Sequence, residues 1–154
     1  MKLKSLFLYV FILFFINSCQ LNQLSVDISK KDLFSISFVN AVPDTFEKKL
    51  KFVFNSNSKI DTQAKISIQE YIFKNYDIFG GPALRSLEGE LNLKINIEIS
   101  TENKKIIKKL STYKRYKSNE LNPFAQEQMI KALESEMQNE LIKQIIFEVN
   151  AFEM

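Results

Sequence analysis

The chain has 154 residues, of which 45% are apolar, 25% charged and 12% aromatic, and its formal net charge is +3. This length and apolar content are sufficient for one globular domain with a buried core. Histidine is absent and cysteine occurs once, which excludes zinc sites built from these residues, Ser-His-Asp and Cys-His catalysis, and internal disulfides.

Residues 1–18 have the features of an export signal. Lys2 and Lys4 precede an unbroken run of 11 apolar residues, 6–16. This run is too short for a transmembrane helix of ~20 residues and is typical of a signal peptide. The sequence Ile16-Asn17-Ser18-Cys19 resembles the lipobox of bacterial lipoproteins, which implies a covalent diacylglycerol or acyl anchor on Cys19. An ordinary signal peptide followed by a coincidental cysteine is the alternative.

Removal of the signal changes the charge balance of the chain. Two lysines are lost, which leaves 19 basic and 18 acidic side chains and a formal charge of about +1. A balance so close to neutrality gives no indication of a nucleic-acid interface across the domain. Residues 19–32 are polar with scattered aliphatic side chains and are predicted to form a lipidated tether. The folded domain is expected to span residues 33–154.

The first strand and the first helix are predicted from their periodicities. Residues 33–39 alternate, with Phe34, Ile36 and Phe38 on one side, as in a β-strand. A helix is expected after Pro43, with Asp44 as its N-cap and a glutamate three residues later, as in a capping box. Its apolar residues share one helical face: Phe46, Leu50, Val53 and Phe54.

Two further strands are predicted on either side of the break Gly80-Gly81-Pro82. The earlier one should run from Ala64 to about Lys74, with three isoleucines on one face: Ile66, Ile68 and Ile72. The later one spans residues 87–99 and, at ~3.4 Å per residue, predicts a strand about 40 Å long with one buried and one polar face. Gly89 interrupts its apolar side, which indicates a bulge or a close approach of another group.

The C-terminal third predicts a hairpin strand and a long helix. Residues 104–117 follow a short connection and should pair antiparallel with the preceding strand. Asn122 is the expected cap of a helix beginning near Phe124 and ending near Val149. Its apolar residues recur at spacings of three and four: Ile130, Leu133, Met137, Leu141, Ile145 and Val149. This helix is nearly as long as the long strand, so it should cover the apolar face of the sheet.

The predicted order is β-α-β-β-β-α. We therefore expect a two-layer α+β domain, in which two helices pack on one face of a four-stranded, mainly antiparallel sheet. This arrangement resembles the family of the LPS-assembly lipoprotein LptE. The resemblance is carried by the long alternating strand, by the basic-aromatic segment 113–117 (YKRYK), by Asn122-Pro123 and by the helical segment 127–146, which ends in LIKQII.

The resemblance to LptE implies a function, partners and a location. It implies a lipid-anchored outer-membrane subunit of the lipopolysaccharide (LPS) transport complex, on the periplasmic side, that plugs and supports the barrel LptD. Gln20, which is not aspartate, favours sorting to the outer membrane by similarity to other lipoproteins. The expected partners are thus an LptD-type barrel, LPS, and the membrane through the anchor. The alternatives are an accessory lipoprotein of an envelope ABC-type transporter and a lipid-anchored periplasmic enzyme.

Two sets of residues are candidates for these contacts. The polar side of the long strand would face the barrel: Glu88, Glu90, Asn92, Lys94, Asn96 and Glu98. The alternative is that these six residues form an ordinary solvated sheet face. The basic residues near LPS phosphates would be Arg85, Lys114, Arg115 and Lys117, with Tyr113 and Tyr116 against sugar rings or acyl chains. For this basic segment the alternative is protection of an edge strand by lysine.

No catalytic, metal-binding or cofactor-binding residues are predicted. The chain lacks histidine and has three glycines, and Glu136 and Glu140 share what is expected to be a solvated helix face. A single-stranded nucleic acid is not expected as a partner of the basic segment, because the chain is exported. We therefore expect a non-enzymatic protein whose only prosthetic group is the lipid on Cys19.

Overall fold

The order of strands and helices along the chain is the predicted one. The computed structural model describes residues 34–54, 64–79, 86–118 and 122–153. Within them lie β1 (Phe34–Phe38), α1 (Asp44–Val53), β2 (Ala64–Phe79), β3 (Ser86–Ser100), β4 (Lys105–Lys117) and α2 (Pro123–Glu153). The signal peptide, Cys19, the tether and Arg85 lie outside the described residues. The predicted α+β class, with both helices on one face of a four-stranded sheet, is confirmed.

The strands lie in the order β1-β2-β3-β4, so each strand is next to its neighbour in sequence. The β2–β3 and β3–β4 pairs are antiparallel. The β1–β2 pair is parallel, with Phe34 beside Ala64 and Phe38 beside Ile68. Helix α1 stands between these two strands in sequence and supplies the crossover connection that a parallel pair requires. Since β1 has only 5 residues, it pairs with the first part of β2 alone.

The apolar side of β3 forms the centre of the core, as predicted. Five residues of β3 are at most 1% exposed: Leu91, Leu93, Ile95, Ile97 and Ile99. They belong to one cluster with Met137, Leu141 and Ile145 of α2, which are fully buried. The helical spacing of three and four in α2 therefore matches the alternation of β3, and burying both apolar surfaces against each other stabilises the two layers.

Helix α1 packs on the same face of the sheet but begins differently from the prediction. Its N-cap is Pro43, and Asp44 is the first helical residue, so the predicted Asp44 cap and its capping box are wrong. The carbonyl of Pro43 accepts hydrogen bonds from the backbone N–H groups of Phe46 and Glu47. Asp44 cannot cap because its backbone is already helical. It contributes instead a negative charge in the first turn, where the helix dipole favours one.

The second strand is longer than predicted and contains a β-bulge. The β2–β3 register shifts between Ile68 and Glu70. Ile66 and Ile68 precede the shift and are fully buried, whereas Ile72 pairs with Lys94 and lies on the opposite side of the sheet. The predicted common face for the three isoleucines is therefore wrong. One extra residue in a strand reverses the alternation beyond it, so that Tyr71 and Phe73 take the core side.

Gly89 marks a close approach of another strand, as the sequence indicated. It pairs with Tyr116 of β4, and a β-carbon at Gly89 would overlap the Tyr116 ring. The ring is 6% exposed, and its hydroxyl donates a hydrogen bond to Asn75 Oδ1 at 3.0 Å. The tyrosine thus fills the space that the glycine leaves on the core side of β3.

Candidate functional site

The side of the sheet opposite the helices is here called the open face. Pairing of β2, β3 and β4 arranges its side chains in seven rows, each with one residue per strand. The rows are Lys65–Ser100–Lys105, Ser67–Glu98–Ile107, Glu70–Asn96–Lys109, Ile72–Lys94–Ser111, Lys74–Asn92–Tyr113, Tyr76–Glu90–Arg115 and Ile78–Glu88–Lys117. In the described part of the chain both helices pack on the other side, so no helix covers this face.

All six predicted barrel-facing residues lie together on the open face: Glu88, Glu90, Asn92, Lys94, Asn96 and Glu98. Glu88 and Lys94 are exposed, and the other four are half-buried by neighbouring side chains. The structure therefore brings this predicted set onto one surface, because alternate residues of a strand point the same way.

Hydrogen bonds and ion pairs between strands hold several of these polar groups in place. Asn96 Nδ2 donates to Glu70 Oε2 at 2.7 Å, and Arg115 Nε donates to Glu90 Oε2 at 3.1 Å. Glu98 accepts from Gln69 at 3.2 Å and forms an ion pair with Lys105 at 2.9 Å. Cross-strand pairs of this kind orient the side chains before any partner arrives. The open face is thus a mainly polar surface on which several side chains are held in place.

The predicted LPS-contact residues are divided between the two sides of the sheet. Arg115 and Lys117 lie on the open face, whereas Lys114 points towards α2. Lys114 Nζ lies 2.6 Å from Glu140 Oε1 and 2.9 Å from Glu136 Oε1. Adjacent residues of a strand point to opposite sides, so Lys114 and Arg115 do not form one cluster. The fourth candidate, Arg85, lies outside the described residues.

The pairing of Lys114 with α2 shifts the pKa values of the groups involved. Hydrogen bonds from Glu140 and then Glu136 raise the pKa of the Lys114 ammonium. Hydrogen bonds from Lys114 and then Thr112 lower the pKa of the Glu140 carboxyl. Both shifts favour the charged forms at neutral pH. Lys114 therefore attaches strand β4 to α2 in addition to any role towards a ligand.

The two tyrosines of the basic segment also have different surroundings. Tyr113 is 68% exposed and lies on the open face beside Asn92. Tyr116 is buried over Gly89 and cannot lie against a sugar ring in this conformation. Of the two, Tyr113 is available for a stacking contact.

Sequence reasoning missed two cations near the centre of the open face, Lys74 and Lys109. Together with Lys94, they are here called the lysine diagonal, because they occupy successive rows on β2, β3 and β4. A groove of about 400 Å³ lies beside Lys94 and Lys109 and is also lined by Glu70, Ile72, Asn96 and Ser111. The bulge in β2 determines which of its residues reach this groove, and no sequence pattern marked that bulge.

A second polar cluster lies on the core side, between both helices and β2. The Tyr71 hydroxyl donates to Glu134 Oε1 at 3.0 Å and accepts from Gln138 Nε2 at 3.1 Å. Lys49 Nζ donates to Ser135 Oγ at 2.8 Å and to Gln138 Oε1 at 3.1 Å. Burial raises the pKa of the Tyr71 hydroxyl and lowers the pKa of the Lys49 ammonium. These bonds connect the two helices and the sheet and thereby support the open face from behind.

The described residues contain neither a membrane-spanning helix nor a cluster of metal ligands. None of the helices in these ranges has the length and apolar character needed to cross a membrane. The same ranges contain no group of three or more His, Cys, Asp or Glu side chains placed to hold a metal ion.

Comparison with known proteins identifies similar folds. No protein-family model and no curated protein sequence matches the chain. Among solved structures, a minor lipoprotein from Acinetobacter baumannii has a TM-score of 0.63 at 20% identity, covering 80% of this chain and 93% of that one.

Two other bacterial lipoproteins are similar. The rare lipoprotein B of Shewanella oneidensis has a TM-score of 0.63 at 14% identity, covering 78% of this chain and 95% of that one. An uncharacterized lipoprotein B of Nitrosomonas europaea has a TM-score of 0.66 at 17% identity, covering 78% of this chain and 83% of that one. The chain therefore has the fold of these bacterial lipoproteins.

Proposed function

We propose that this chain is a lipid-anchored outer-membrane lipoprotein of the LPS transport complex, in which it plugs and supports an LptD-type barrel. The observation that carries the proposal is the two-sided sheet: within the described residues both helices cover its apolar side, and neither covers its polar side. The shared fold with bacterial lipoproteins and the lipobox at Cys19 support the same role. The role is not enzymatic, and its only prosthetic group is the lipid on Cys19.

The physical requirements of a plug match the properties of the open face. The interior of a membrane β-barrel is polar, so a protein inside it must present polar groups. The open face does this over the whole length of β3, with side chains already oriented by bonds such as Asn96 to Glu70. Behind it, α2 keeps the sheet rigid through a continuous buried core.

Co-purification tests this function directly. The tagged full-length chain is expressed with the LptD-type barrel of the same bacterium, and the complex is purified from detergent-solubilised outer membranes. We expect the barrel to be recovered with the chain in one complex. Recovery with a transporter ATPase and without the barrel would contradict the proposal and favour an accessory lipoprotein of an ABC-type transporter.

The anchor has its own test. The variant Cys19→Ala, which lacks the only cysteine, should not be labelled metabolically by a radioactive fatty acid. A Ser18→Ala variant, which keeps a small residue before the cysteine, serves as the control and should be labelled normally. Persistent labelling of Cys19→Ala would contradict lipidation at this residue.

A further inference from the structure

The lysine diagonal has a regular geometry across the open face. Lys109 of β4, Lys94 of β3 and Lys74 of β2 are each displaced by one row from the next. Neighbouring strands lie ~4.8 Å apart and alternate residues ~6.8 Å apart, so successive lysines are about 8 Å from each other. All three side chains are exposed. They therefore form a line of positive charge running obliquely over the centre of the face.

Of the seven cations of the open face, Lys105 and Arg115 form ion pairs with carboxylates of the described residues, whereas Lys65 and Lys117 at its two ends and the three lysines of the diagonal form none there. Lys105 lies 2.9 Å from Glu98, and Arg115 lies 3.1 Å from Glu90. Across residues 34–54, 64–79, 86–118 and 122–153, the side chains of the lysine diagonal form neither a hydrogen bond nor an ion pair. Three like charges at this spacing repel one another, and a surface carrying negative charge would relieve that repulsion.

The net charge of the whole open face also favours a negatively charged partner. Its seven rows contain seven lysine or arginine side chains and four glutamates, an excess of +3. This excess equals the charge of the lysine diagonal. The α2 helix has the opposite balance, with six glutamates against two lysines. The described part of the domain is thus polarised, with an excess of positive charge on the side of the sheet opposite its two helices.

The shape and area of the face suit a macromolecular partner. The groove beside Lys94 and Lys109 has Ile72 in its wall and a volume of about 400 Å³, so it can receive a side chain projecting from another protein. Three strands ~4.8 Å apart and ~45 Å long present roughly 650 Å². That area approaches the ~800 Å² per partner of a standard protein interface.

We infer that the open face docks against an acidic wall of a partner protein, with carboxylates of the partner lying along Lys74, Lys94 and Lys109. This inference deepens the proposed function, because it rests on the barrel as the partner and gives the chemistry of the surface that faces the plug. Because Lys105 and Arg115 are already paired with Glu98 and Glu90, the lysines of the diagonal are the unpaired cations that lie side by side at the centre of the face.

Charge reversal tests the inference in the complex. In the variant Lys74→Glu, Lys94→Glu, Lys109→Glu, recovery of the barrel with the tagged full-length chain should fall by about tenfold or more, because like charges would face each other across the interface. The matched control reverses three exposed helix lysines, Lys48, Lys131 and Lys143, and should be recovered like the wild type. Recovery of the folded diagonal variant at the wild-type level would overturn the inference while leaving the proposed function intact.

A second experiment tests the inference in the absence of the barrel. The full-length chain in nonionic detergent is titrated with polyglutamate, and its amide resonances are followed by NMR. We expect salt-sensitive shifts centred on Lys74, Lys94 and Lys109 that disappear in the diagonal variant. Shifts spread over the whole surface, or none, would overturn the inference. So would a diagonal variant that binds the barrel and polyglutamate normally but loses LPS, since the lysines would then serve a phosphate ligand.

Discussion

At Gly89, the core side of β3 lacks a side chain, and the ring of Tyr116 occupies the space. Any β-carbon there would overlap the ring, so Gly89→Ala should force the tyrosine out of its position and lower the free energy of unfolding by about 1–3 kcal/mol. Chemical denaturation monitored by circular dichroism measures this change. In a Tyr116→Ala background the same substitution should cost much less, and equal costs in both backgrounds would contradict the packing.

Lys114 links β4 to the acidic surface of α2, which predicts a specific pH dependence. The pKa of the Glu140 carboxyl is lowered from its usual 4.5 by Lys114. A carboxyl whose pKa is depressed on folding stabilises the protein above its unfolded pKa, and this contribution is lost as the pH falls through the folded pKa. Wild-type stability should therefore drop more steeply below pH 4.5 than that of Lys114→Gln.

The control for this prediction is Lys117→Gln, since Lys117 is an exposed cation on the other side of the same strand. Thermal unfolding at a series of acidic pH values compares the variants. Lys117→Gln should follow the wild-type curve. If Lys114→Gln also followed it, the ion pairs with α2 would contribute nothing to stability.

For LPS binding, the side chains to test are those that the sheet places together. Arg115 and Lys117 share the open face, whereas Lys114 is engaged with α2. Arg115→Gln with Lys117→Gln should weaken binding of LPS to the purified chain, by about tenfold if each removes a charge-assisted bond to phosphate. The control Lys65→Gln with Lys105→Gln removes equal charge at the far end of the face. Equal losses in both variants would indicate attraction by net charge alone.

At the level of helices and strands, the two helices differ in whether their predicted N-cap residue is the observed one. Asn122 caps α2 as predicted, with its Oδ1 accepting from the Ala125 N–H at 3.0 Å, whereas Asp44 is inside α1. Both residues precede a suitable helical pattern, so sequence alone does not separate them. The difference is the residue at which each helix begins: α1 begins one residue earlier than predicted, so that Pro43 is its N-cap and Asp44 its first helical residue.

This difference gives a matched pair of variants. Asn122→Ala should lower the free energy of unfolding by ~1 kcal/mol through loss of a side-chain cap. Asp44→Ala should cost only a few tenths to about 1 kcal/mol, because it removes a charge near the helix N-terminus and no capping bond. Urea denaturation distinguishes the two, and a larger effect at Asp44 would contradict the observed caps.

The strands show which parts of the fold can be predicted from sequence. The period of two in β3 and the spacing of three and four in α2 specify which residues are buried, since each apolar face needs a partner of matching length. The bulge near Gln69 left no such signal, because Ile72 is as apolar as Ile68 and only pairing with β3 shows that it lies on the other side. The same bulge places Lys74 on the open face, and for this reason the sequence did not predict Lys74 as part of the site.

At the scale of the whole molecule, the domain is a plate with two unlike surfaces. One surface is buried under α1 and α2, and the other is a polar, positively charged sheet. The polar residues of β3 were predictable because they alternate with the core. The lysine diagonal was not, because it exists only once three strands are aligned. The proposed function therefore requires that the open face is a contact surface and not merely a solvated one.

Site-specific photo-crosslinking in living cells tests this claim most directly. A photoreactive amino acid is placed at Asn92 or Lys109 on the open face and, for comparison, at Lys131 or Lys143 on the exposed side of α2. We predict crosslinks from the open-face positions to the LptD-type barrel. Crosslinks to the barrel from α2 alone, with none from Asn92 or Lys109, would contradict it.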